Sequence, residues 1–247
     1  MADFTPTILR FDSLPSTNVE AARHAAAGAS EGFCIVAREQ TAGRGRLERQ
    51  WVSPKDAGLY FSIILRPKFE QTSWGLIPLM AAVAVQKALC AAYQLKTDIK
   101  WPNDILANDK KLCGILAETV DNRTVVVGIG INIRKDSLPA DIETATSVET
   151  VTGRDSEVEV VLPHLVSFLT DCYRKLADAS GRVDLIAEWC KRSSYCKGKR
   201  VHVAAGCKSF TGTTRGLEPD GALRVQTETG ETRIVRAADV SAVRTIG

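Results

Sequence analysis

The stretch RTVVVGIGINIR, residues 123–134, alternates apolar residues with other residues along most of its length. Successive side chains of a β-strand point to opposite faces of the sheet, so this alternation predicts a strand with one apolar face. The residues on that face are Val125, Val127, Ile129, Ile131 and Ile133. Glycines inside a strand, here Gly128 and Gly130, more often mark a close approach by a ligand or a neighbouring backbone. The segment is not a dinucleotide-binding fingerprint, because the third glycine is absent and no helix start follows.

The segments before this strand predict further strands and two helices. Strand-like runs are GFCIVAREQ, GLYFSIILR, TDIKWPNDILAN and KKLCGILAET. The run LPSTNVEAARHAAAGAS predicts a helix in which Thr17 and Glu20 fit a capping box and Gly28 ends the last turn. Residues 74–93 are apolar nearly all round, which predicts a buried central helix.

The segments after it predict helices and then a small all-β unit. Residues 135–159 are polar and turn-rich, and helices are predicted over 160–177 and 184–192. From about residue 194, short alternating runs between glycine turns predict a β-barrel of about 50 residues. Regular helical crossovers do not separate the strand runs, which argues against a doubly wound parallel sheet. We therefore predict an α+β domain over residues 1–193 and a β-barrel domain over 194–247.

The composition excludes several classes of protein. The 32 Lys and Arg residues nearly balance the 29 Asp and Glu residues, so the net charge of +3 does not indicate a general nucleic-acid binder. Seven cysteines without disulfide-framework spacing suggest a reducing compartment, and Cys190, Cys196 and His202 match no common zinc pattern. We expect no metal site of the protein's own. The N-terminal residues lack the features of a signal peptide, and the longest apolar stretch is short for a bilayer span, so a cytoplasmic protein is expected.

The run TAGRGR, residues 41–46, combines flexibility with positive charge. Gly43 and Gly45 permit close backbone approach, and Arg44 and Arg46 supply permanently charged, planar groups that suit phosphate or carboxylate. The spacing is not that of a P-loop, since the Lys-Ser/Thr ending is missing. From these residues alone, an anion-binding loop and a solvated surface loop are equally good interpretations.

Two further stretches combine turn chemistry with polar side chains. In KWPND, residues 100–104, Trp101 must be extended because it precedes Pro102, so Lys100 ends a strand and is aimed by a rigid turn. Such a lysine is a point cation for a phosphoryl or carboxyl oxygen, although a turn capped by Asn103 and Asp104 is the simpler interpretation. STN, residues 16–18, begins a helix and also suits an anion or polar ligand group.

The motifs STN, QTAGRGR, W-x-S-P, KWPND, K-L-x-G-I-L-x-E and GIGIN occur in one order between residues 16 and 132. This ordered set resembles the biotin protein ligases, and the C-terminal unit resembles the small SH3-like domain of that family. The resemblance implies a catalytic domain like that of class II synthetases, with a mixed, largely antiparallel sheet and flanking helices. It also implies a two-step reaction with ATP, Mg²⁺ and biotin: biotin is activated as biotinyl-5′-AMP and then transferred to a lysine of a biotin carboxyl carrier protein.

The resemblance also implies roles for individual residues. Catalysis is assigned to Lys100, between the carboxylate and the α-phosphate, to Arg44 over the phosphates, and to Asp104, which receives the carrier's lysine. The expected biotin-binding residues are Ser16, Thr17, Asn18, Gln40, Gly43, Arg44, Arg46, Lys100, Lys111 and Gly114. The expected nucleotide-binding residues are Arg44, Arg46, Trp51, Asn103, Gly130 and Asn132. The Gly/Arg loop is expected to order over the reactive adenylate and exclude water.

The chain departs from the family pattern directly after GRGR. There LERQW replaces an Arg-Gly-rich stretch, so Glu48 adds a negative charge and a third glycine is missing. Only about 15 residues precede STN, which leaves no room for the winged helix of some relatives, and we expect no sequence-specific DNA binding. No membrane association is expected, and a homodimer is an open expectation.

Two other functions fit parts of the sequence. A lipoate ligase shares the fold and the adenylation chemistry, but the polar STN and Gln40 favour biotin's polar ring over a dithiolane. A non-catalytic module, whose barrel docks a protein or RNA, would not need Lys100.

Overall fold

The computed structural model describes residues 5–138, 142–205, 208–236 and 238–243. The helices are α1 Thr17–Ala26, α2 Leu76–Tyr93, α3 Val148–Thr152, α4 Val158–Lys175 and α5 Ala179–Arg192. The strands of the first sheet are β1 Thr7–Phe11, β2 Phe33–Ala37, β3 Gly58–Leu65, β4 Asp98–Lys100, β5 Asp104–Ala107, β6 Lys110–Asp121 and β7 Thr124–Asn132. Those of the second are β8 Lys197–Ala205, β9 Lys208–Leu217, β10 Leu223–Thr227, β11 Thr232–Val235 and β12 Asp239–Ala242.

The seven-stranded sheet has the order β1-β2-β3-β7-β6-β5-β4. Only β1 and β2 pair in parallel, and the other neighbours are antiparallel. The predicted mixed, largely antiparallel sheet with flanking helices is therefore confirmed. Strand β7 lies in the middle, between β3 and β6, and it is buried along almost its whole length.

One face of this sheet forms the main core. All five residues of the predicted apolar face of residues 123–134 are buried there, with helices α2 and α4 packed beside them. Helix α2 is buried almost all round, as its composition predicts, although it begins at Leu76 rather than at Trp74. By length and composition it is the one described helix that resembles a membrane span, but 67% of that stretch is buried inside the protein, as in the core helix of a folded domain.

The other face is only partly covered. Helix α1 packs its buried Ala21 and Ala25 against Ile35, Ile64 and Val126 at one end of the sheet. At the N-terminal end of α1, strands β6 and β7 place Gly114, Gly128 and Gly130 on this same face. Because no side chain projects from these positions, Asn18 and Trp51 approach the sheet closely there, and this area holds the candidate site.

The second sheet is antiparallel, with the strand order β11-β10-β9-β8-β12. The small C-terminal β-unit is confirmed, but within the described residues β11 and β12 are edges and no closed barrel is found. This sheet contacts the first domain where Trp101 Nε1 donates to Gly221 O at 3.0 Å. The domain boundary at residues 193 and 194 stays a prediction.

Two local predictions are wrong. The N-cap of α1 is Ser16 rather than Thr17, because the Thr17 hydroxyl donates to Gln40 Oε1 instead of capping the helix. Cys190 and Cys196, expected as free thiols, form a disulfide with a Cα–Cα distance of 5.0 Å. The chain reverses between the end of α5 and β8, which brings the two residues together. No cluster of three metal-binding side chains occurs among the described residues.

Candidate active site

The floor of the site is a set of three strand glycines, Gly114, Gly128 and Gly130, which we call the glycine floor. Gly114 lies opposite Gly130 in the β6–β7 register. A Cβ added at Gly130 would lie 2.5 Å from the Trp51 ring, and one added at Gly128 would lie 2.1 Å from Asn18 Oδ1. These glycines are therefore required for space rather than for backbone conformation.

One wall is the start of α1. Thr17 donates from its backbone nitrogen and its hydroxyl to Gln40 Oε1, at 2.8 and 3.1 Å, and Gln40 Nε2 donates to Ser53 Oγ at 2.8 Å. Ser16 and Thr17 are each 3% exposed, so the polar groups of this wall are fixed by burial and hydrogen bonding. Such a helix start presents both donors and acceptors to a polar ligand.

The Gly/Arg loop folds as a short hairpin over the opening, and we call residues 41–51 the lid. Trp51 N donates to Gly43 O at 2.9 Å, and the backbones of Arg44 and Gln50 pair in an antiparallel β-bridge. A Cβ at Gly43 would lie 2.3 Å from Trp51 O, so this hairpin needs glycine there. At the tip, Leu47 and Glu48 have positive φ of 54° and 60°, a conformation that favours glycine. The family pattern has a third glycine in this segment. Here the non-glycine residues Leu47 and Glu48 take left-handed φ values instead.

Two arginines of the lid lie at the opening. Arg44 Nη2 is 2.9 Å from Glu118 Oε1, while Arg46 Nη1 donates to Asn103 Oδ1 at 3.1 Å and to Ala238 O at 3.4 Å. Burial lowers the pKa of the Arg46 guanidinium, because desolvation disfavours its charged form. The site therefore holds positive charge in a partly desolvated setting, where its attraction for an anion is stronger than in water.

Two lysines flank one carboxylate at the far side. Lys111 Nζ is 2.7 Å from Asp104 Oδ1, and Lys100 Nζ is 3.7 Å from Asp104 Oδ2. The Lys111 ammonium also lies 5.4 Å from the centre of the Trp51 ring, within the range of a cation–π contact. Strand β4 ends at Lys100, as the Trp-Pro sequence predicts.

Trp51 covers the glycine floor. Its indole Nε1 is buried and has no hydrogen-bond partner among the residues that the structure describes. Buried donors are usually paired, and an unpaired one carries a desolvation cost. A ligand acceptor beside this ring would remove that cost, so the indole fits a polar ligand in the site.

Together these groups line a cavity with about 450 Å³ of empty space, part of it open to solvent, which we call the central cavity. Eleven predicted site residues line it: Ser16, Thr17, Asn18, Gln40, Arg44, Arg46, Trp51, Asn103, Lys111, Gly114 and Gly130. Gly43, Lys100, Asp104 and Asn132 are not in its lining. Asn132 is buried and donates to Thr146 O at 3.0 Å, so its side chain holds the chain that follows β7.

Sequence reasoning missed part of the lining, namely Gly45, Ile115, Leu116, Gly128 and Ile129. Gly128 carried a usable signal, because a glycine inside an apolar strand indicates a close approach. Ile115 and Ile129 belong to the core face and carried no separate signal. The role of Glu118 was not predicted, although it is the last residue of the K-L-x-G-I-L-x-E motif.

Models of two protein families match the chain. The Biotin/lipoate A/B protein ligase family matches residues 9–136, and the Biotin protein ligase C terminal domain matches residues 198–243.

Curated relatives are similar over most of the chain. The bifunctional ligase/repressor BirA of Bacillus spizizenii is 35% identical over 92% of this chain and 71% of its own length. The biotin–[acetyl-CoA-carboxylase] ligase of Mycobacterium tuberculosis is 33% identical over 93% of this chain and 86% of its own length. Among solved structures, the biotin protein ligase of Aquifex aeolicus in complex with biotin and ATP superposes with a TM-score of 0.84 at 29% identity, covering 98% of this chain and 100% of that one.

Proposed function

The chain belongs to the biotin/lipoate A/B protein ligase family, and from that premise we propose that the central cavity is where biotin and ATP react. The protein is an ATP-dependent ligase that activates biotin as biotinyl-5′-AMP and transfers the biotinyl group to a carboxylase. The observation that supports this use of the cavity is its division into two parts. One part is the fixed polar wall at Ser16, Thr17 and Gln40, and the other is the cationic set of Arg44, Arg46 and Lys111.

In the first step, a carboxylate oxygen of biotin attacks the α-phosphorus of ATP. The new bond makes the mixed anhydride, and the bond to the β-phosphate oxygen breaks, so that pyrophosphate leaves. Both reactants are anions, so the site must neutralise charge before they can approach each other. Arg44, Arg46 and Lys111 line the cavity and supply positive charge for that neutralisation.

Lys111 is the lysine best placed to contact the reacting groups. It lines the cavity, while Lys100 is not in the lining and lies beside the outer oxygen of Asp104. We infer that Lys111 contacts the carboxylate and the α-phosphate, and that Lys100 supports it by sharing the charge of Asp104. The direct catalytic role of Lys100 that the family resemblance implies stays a prediction.

In the second step, the amine of the carrier's lysine attacks the carbonyl carbon of the anhydride. An amide bond forms, the bond to the phosphate oxygen breaks, and AMP leaves. The amine must lose a proton, and Asp104 is the carboxylate at this side of the cavity, with 15% of its side chain exposed. Its two lysine neighbours, Lys111 and Lys100, hold the Asp104 carboxylate in place at this side of the cavity.

The polar wall suits the ureido ring of biotin. That ring has one carbonyl acceptor and two N–H donors, and the wall presents the Ser16 and Thr17 hydroxyls beside the Gln40 amide. A buried polar site rejects a ligand that leaves these groups unpaired. This is the physical reason to favour biotin over lipoate, whose dithiolane ring offers no such partners.

The side chains present also fit Mg²⁺ arriving with ATP. Magnesium is usually held by one or two carboxylates together with substrate phosphates, and it keeps several waters. Within the described part of the chain there is no cluster of three metal-binding side chains, so the phosphates of ATP would supply most of the ligands. When bound, the metal neutralises charge on the leaving pyrophosphate.

We propose a biotin carboxyl carrier domain as the acceptor, since the Mycobacterium tuberculosis relative is named for acetyl-CoA carboxylase. The near balance of charges, +3 overall, supports a protein that does not bind DNA through general electrostatics. The homodimer and the cytoplasmic location stay predictions.

Exchange of radiolabelled pyrophosphate into ATP tests the first step. We expect exchange that depends on biotin and is absent with lipoate. The matched control is Lys111→Met, which keeps most of the side-chain volume and removes the charge. Exchange with lipoate but not with biotin would overturn the proposal.

A further inference from the structure

Glu118 lies next to two lining residues of the central cavity, Arg44 and Asn18, and has no part in the chemistry described above. Its two carboxylate oxygens face different partners: Oε1 is 2.9 Å from Arg44 Nη2 of the lid, and Oε2 accepts a hydrogen bond from Asn18 Nδ2 at 2.8 Å. The Glu118 side chain is 30% exposed. One carboxylate thus joins the lid to the wall of the cavity.

Asn18 is itself fixed. Its amide nitrogen also donates to Leu116 O at 3.2 Å, and its Oδ1 accepts from the Ser62 hydroxyl at 2.6 Å. Asn18 is 5% exposed, and its close approach to the sheet requires glycine at Gly128. Because both ends of the amide are engaged within the protein, Asn18 holds the carboxylate of Glu118 in one orientation.

Arg44 is held through one nitrogen. The ion pair to Glu118 engages Nη2, whereas a guanidinium has five N–H donors in a planar fork. In the ranges of the chain that the structure describes, no other ion pair or hydrogen bond of this side chain occurs. The remaining donors are therefore available to an anion in the cavity while Glu118 fixes the direction of the fork.

We propose that Glu118 is a positioning residue that aligns Arg44 over the adenylate and ties the closed lid to the cavity wall through Asn18. The inference rests on the proposed function, since it concerns retention of biotinyl-5′-AMP. A half-exposed ion pair contributes little to the free energy of folding. The effect of this pair is therefore to orient the Arg44 guanidinium. Pre-aligning a guanidinium lowers the entropy lost when it binds the phosphate.

The variant that isolates this role is Glu118→Gln. The glutamine amide has nearly the same shape, and its carbonyl oxygen can still accept from Asn18, so the wall is kept. What it loses is the negative charge that faces Arg44. The control is Glu20→Gln on α1, which removes the carboxylate that pairs with Arg23 and lies outside the cavity lining.

The experiment measures the rate at which biotinyl-5′-AMP, formed in place from biotin and MgATP, leaves the protein. It uses wild type, Glu118→Gln, Arg44→Ala, the double variant and Glu20→Gln. We expect Glu118→Gln to release the adenylate roughly two- to fivefold faster, the change that an ion pair of this exposure supports. The double variant should release the adenylate no faster than Arg44→Ala alone, because Glu118 acts through Arg44. Glu20→Gln should match wild type.

Three results would overturn the inference. Glu118→Gln could release the adenylate at the wild-type rate, it could release it more slowly, or it could raise the release rate by the same factor in Arg44→Ala as in wild type. Slower release would mean that Glu118 competes with the ligand for Arg44. An equal increment would mean that Glu118 supports the fold rather than Arg44. If wild type forms no biotinyl-5′-AMP, the proposed function itself fails, so the two failures can be told apart.

Discussion

At the scale of single residues, the chemistry depends on which ammonium group faces the cavity. Lys111 and Lys100 lie on either side of Asp104, but only Lys111 lines the cavity. The motif around Lys100 made it the better candidate from sequence, because a Trp-Pro turn after a strand end is rigid. Which of two lysines reaches a cavity depends on the pairing of β4, β5 and β6, and a sequence pattern does not specify that pairing.

Lys111→Met should lower the rate of biotin-dependent pyrophosphate exchange by roughly 100-fold, because a lost transition-state charge contact costs about 3 kcal/mol. Lys100→Met should have the smaller effect, since it acts through Asp104. Initial exchange rates at saturating substrates measure both. A larger loss in Lys100→Met would contradict the assignment and restore the choice made from sequence.

The glycine floor allows a paired test two residues apart on one strand. Gly130→Ala pushes against the Trp51 ring and should raise the KM for ATP, whereas Gly128→Ala pushes against Asn18 and should raise the KM for biotin. Each should lower the free energy of unfolding by about 1–3 kcal/mol, as overpacked sites do. Steady-state kinetics with each substrate varied in turn provide the check, and equal effects on both KM values would argue against separate subsites.

At the scale of elements, strand β7 and helix α2 were predictable because their patterns are local and long. The cap of α1 was not, because the Thr17 hydroxyl finds Gln40, 23 residues away, instead of its own helix end. The Cys190–Cys196 disulfide was missed for a similar reason: the spacing has no framework pattern, and only the chain reversal after α5 brings the sulfurs together. Contacts between distant segments are the part of the fold that sequence patterns leave open.

The lid contacts the second sheet through two arginines. Arg46 donates to Ala238 O, and Arg49 forms an ion pair with Asp239. Asp239→Asn should weaken this contact by less than about 1 kcal/mol, because the pair is partly exposed. Limited trypsin digestion should then cut the lid at its arginines up to a fewfold faster, while Glu228→Gln, which removes a distant surface pair with Arg200, should not change the rate. Unchanged cleavage in Asp239→Asn would show that this contact does not restrain the lid.

The end of β2 carries a charge cluster that sets a pH dependence. Hydrogen bonding by the Arg38 guanidinium holds the pKa of Asp56 below its usual value, and Lys55, followed by Arg38, does the same for the pKa of Asp12. A lowered pKa in the folded state gives stability that is present above the unfolded pKa, near 4, and is lost as the pH falls through the folded value. In Arg38→Met the midpoint of acid unfolding should therefore move to higher pH, as followed by circular dichroism. A midpoint that stays in place would contradict these shifts.

At the scale of the whole molecule, the first sheet forms the cavity and the second sheet contacts the segments beside it. The first sheet supplies the glycine floor, the wall and the lysines, and the second contacts the lid at Ala238 and the KWPND turn at Trp101. The sequence predicted both β-units and their order, because their compositions differ. It did not predict that the second sheet holds the closed lid, since that contact joins residues 192 positions apart. In the proposed reaction, opening of the lid for the carrier's lysine would break these contacts with the second sheet.

The joining of biotin to ATP in this cavity is tested by the mass of a carrier domain after incubation with this protein, biotin and MgATP. The carrier should gain one biotinyl group on its acceptor lysine, and a carrier with arginine at that position should gain none. Lys111→Met should leave the carrier unmodified under the same conditions. A carrier of unchanged mass with the wild-type protein, or full modification by Lys111→Met, would contradict the claim that this cavity joins biotin to ATP.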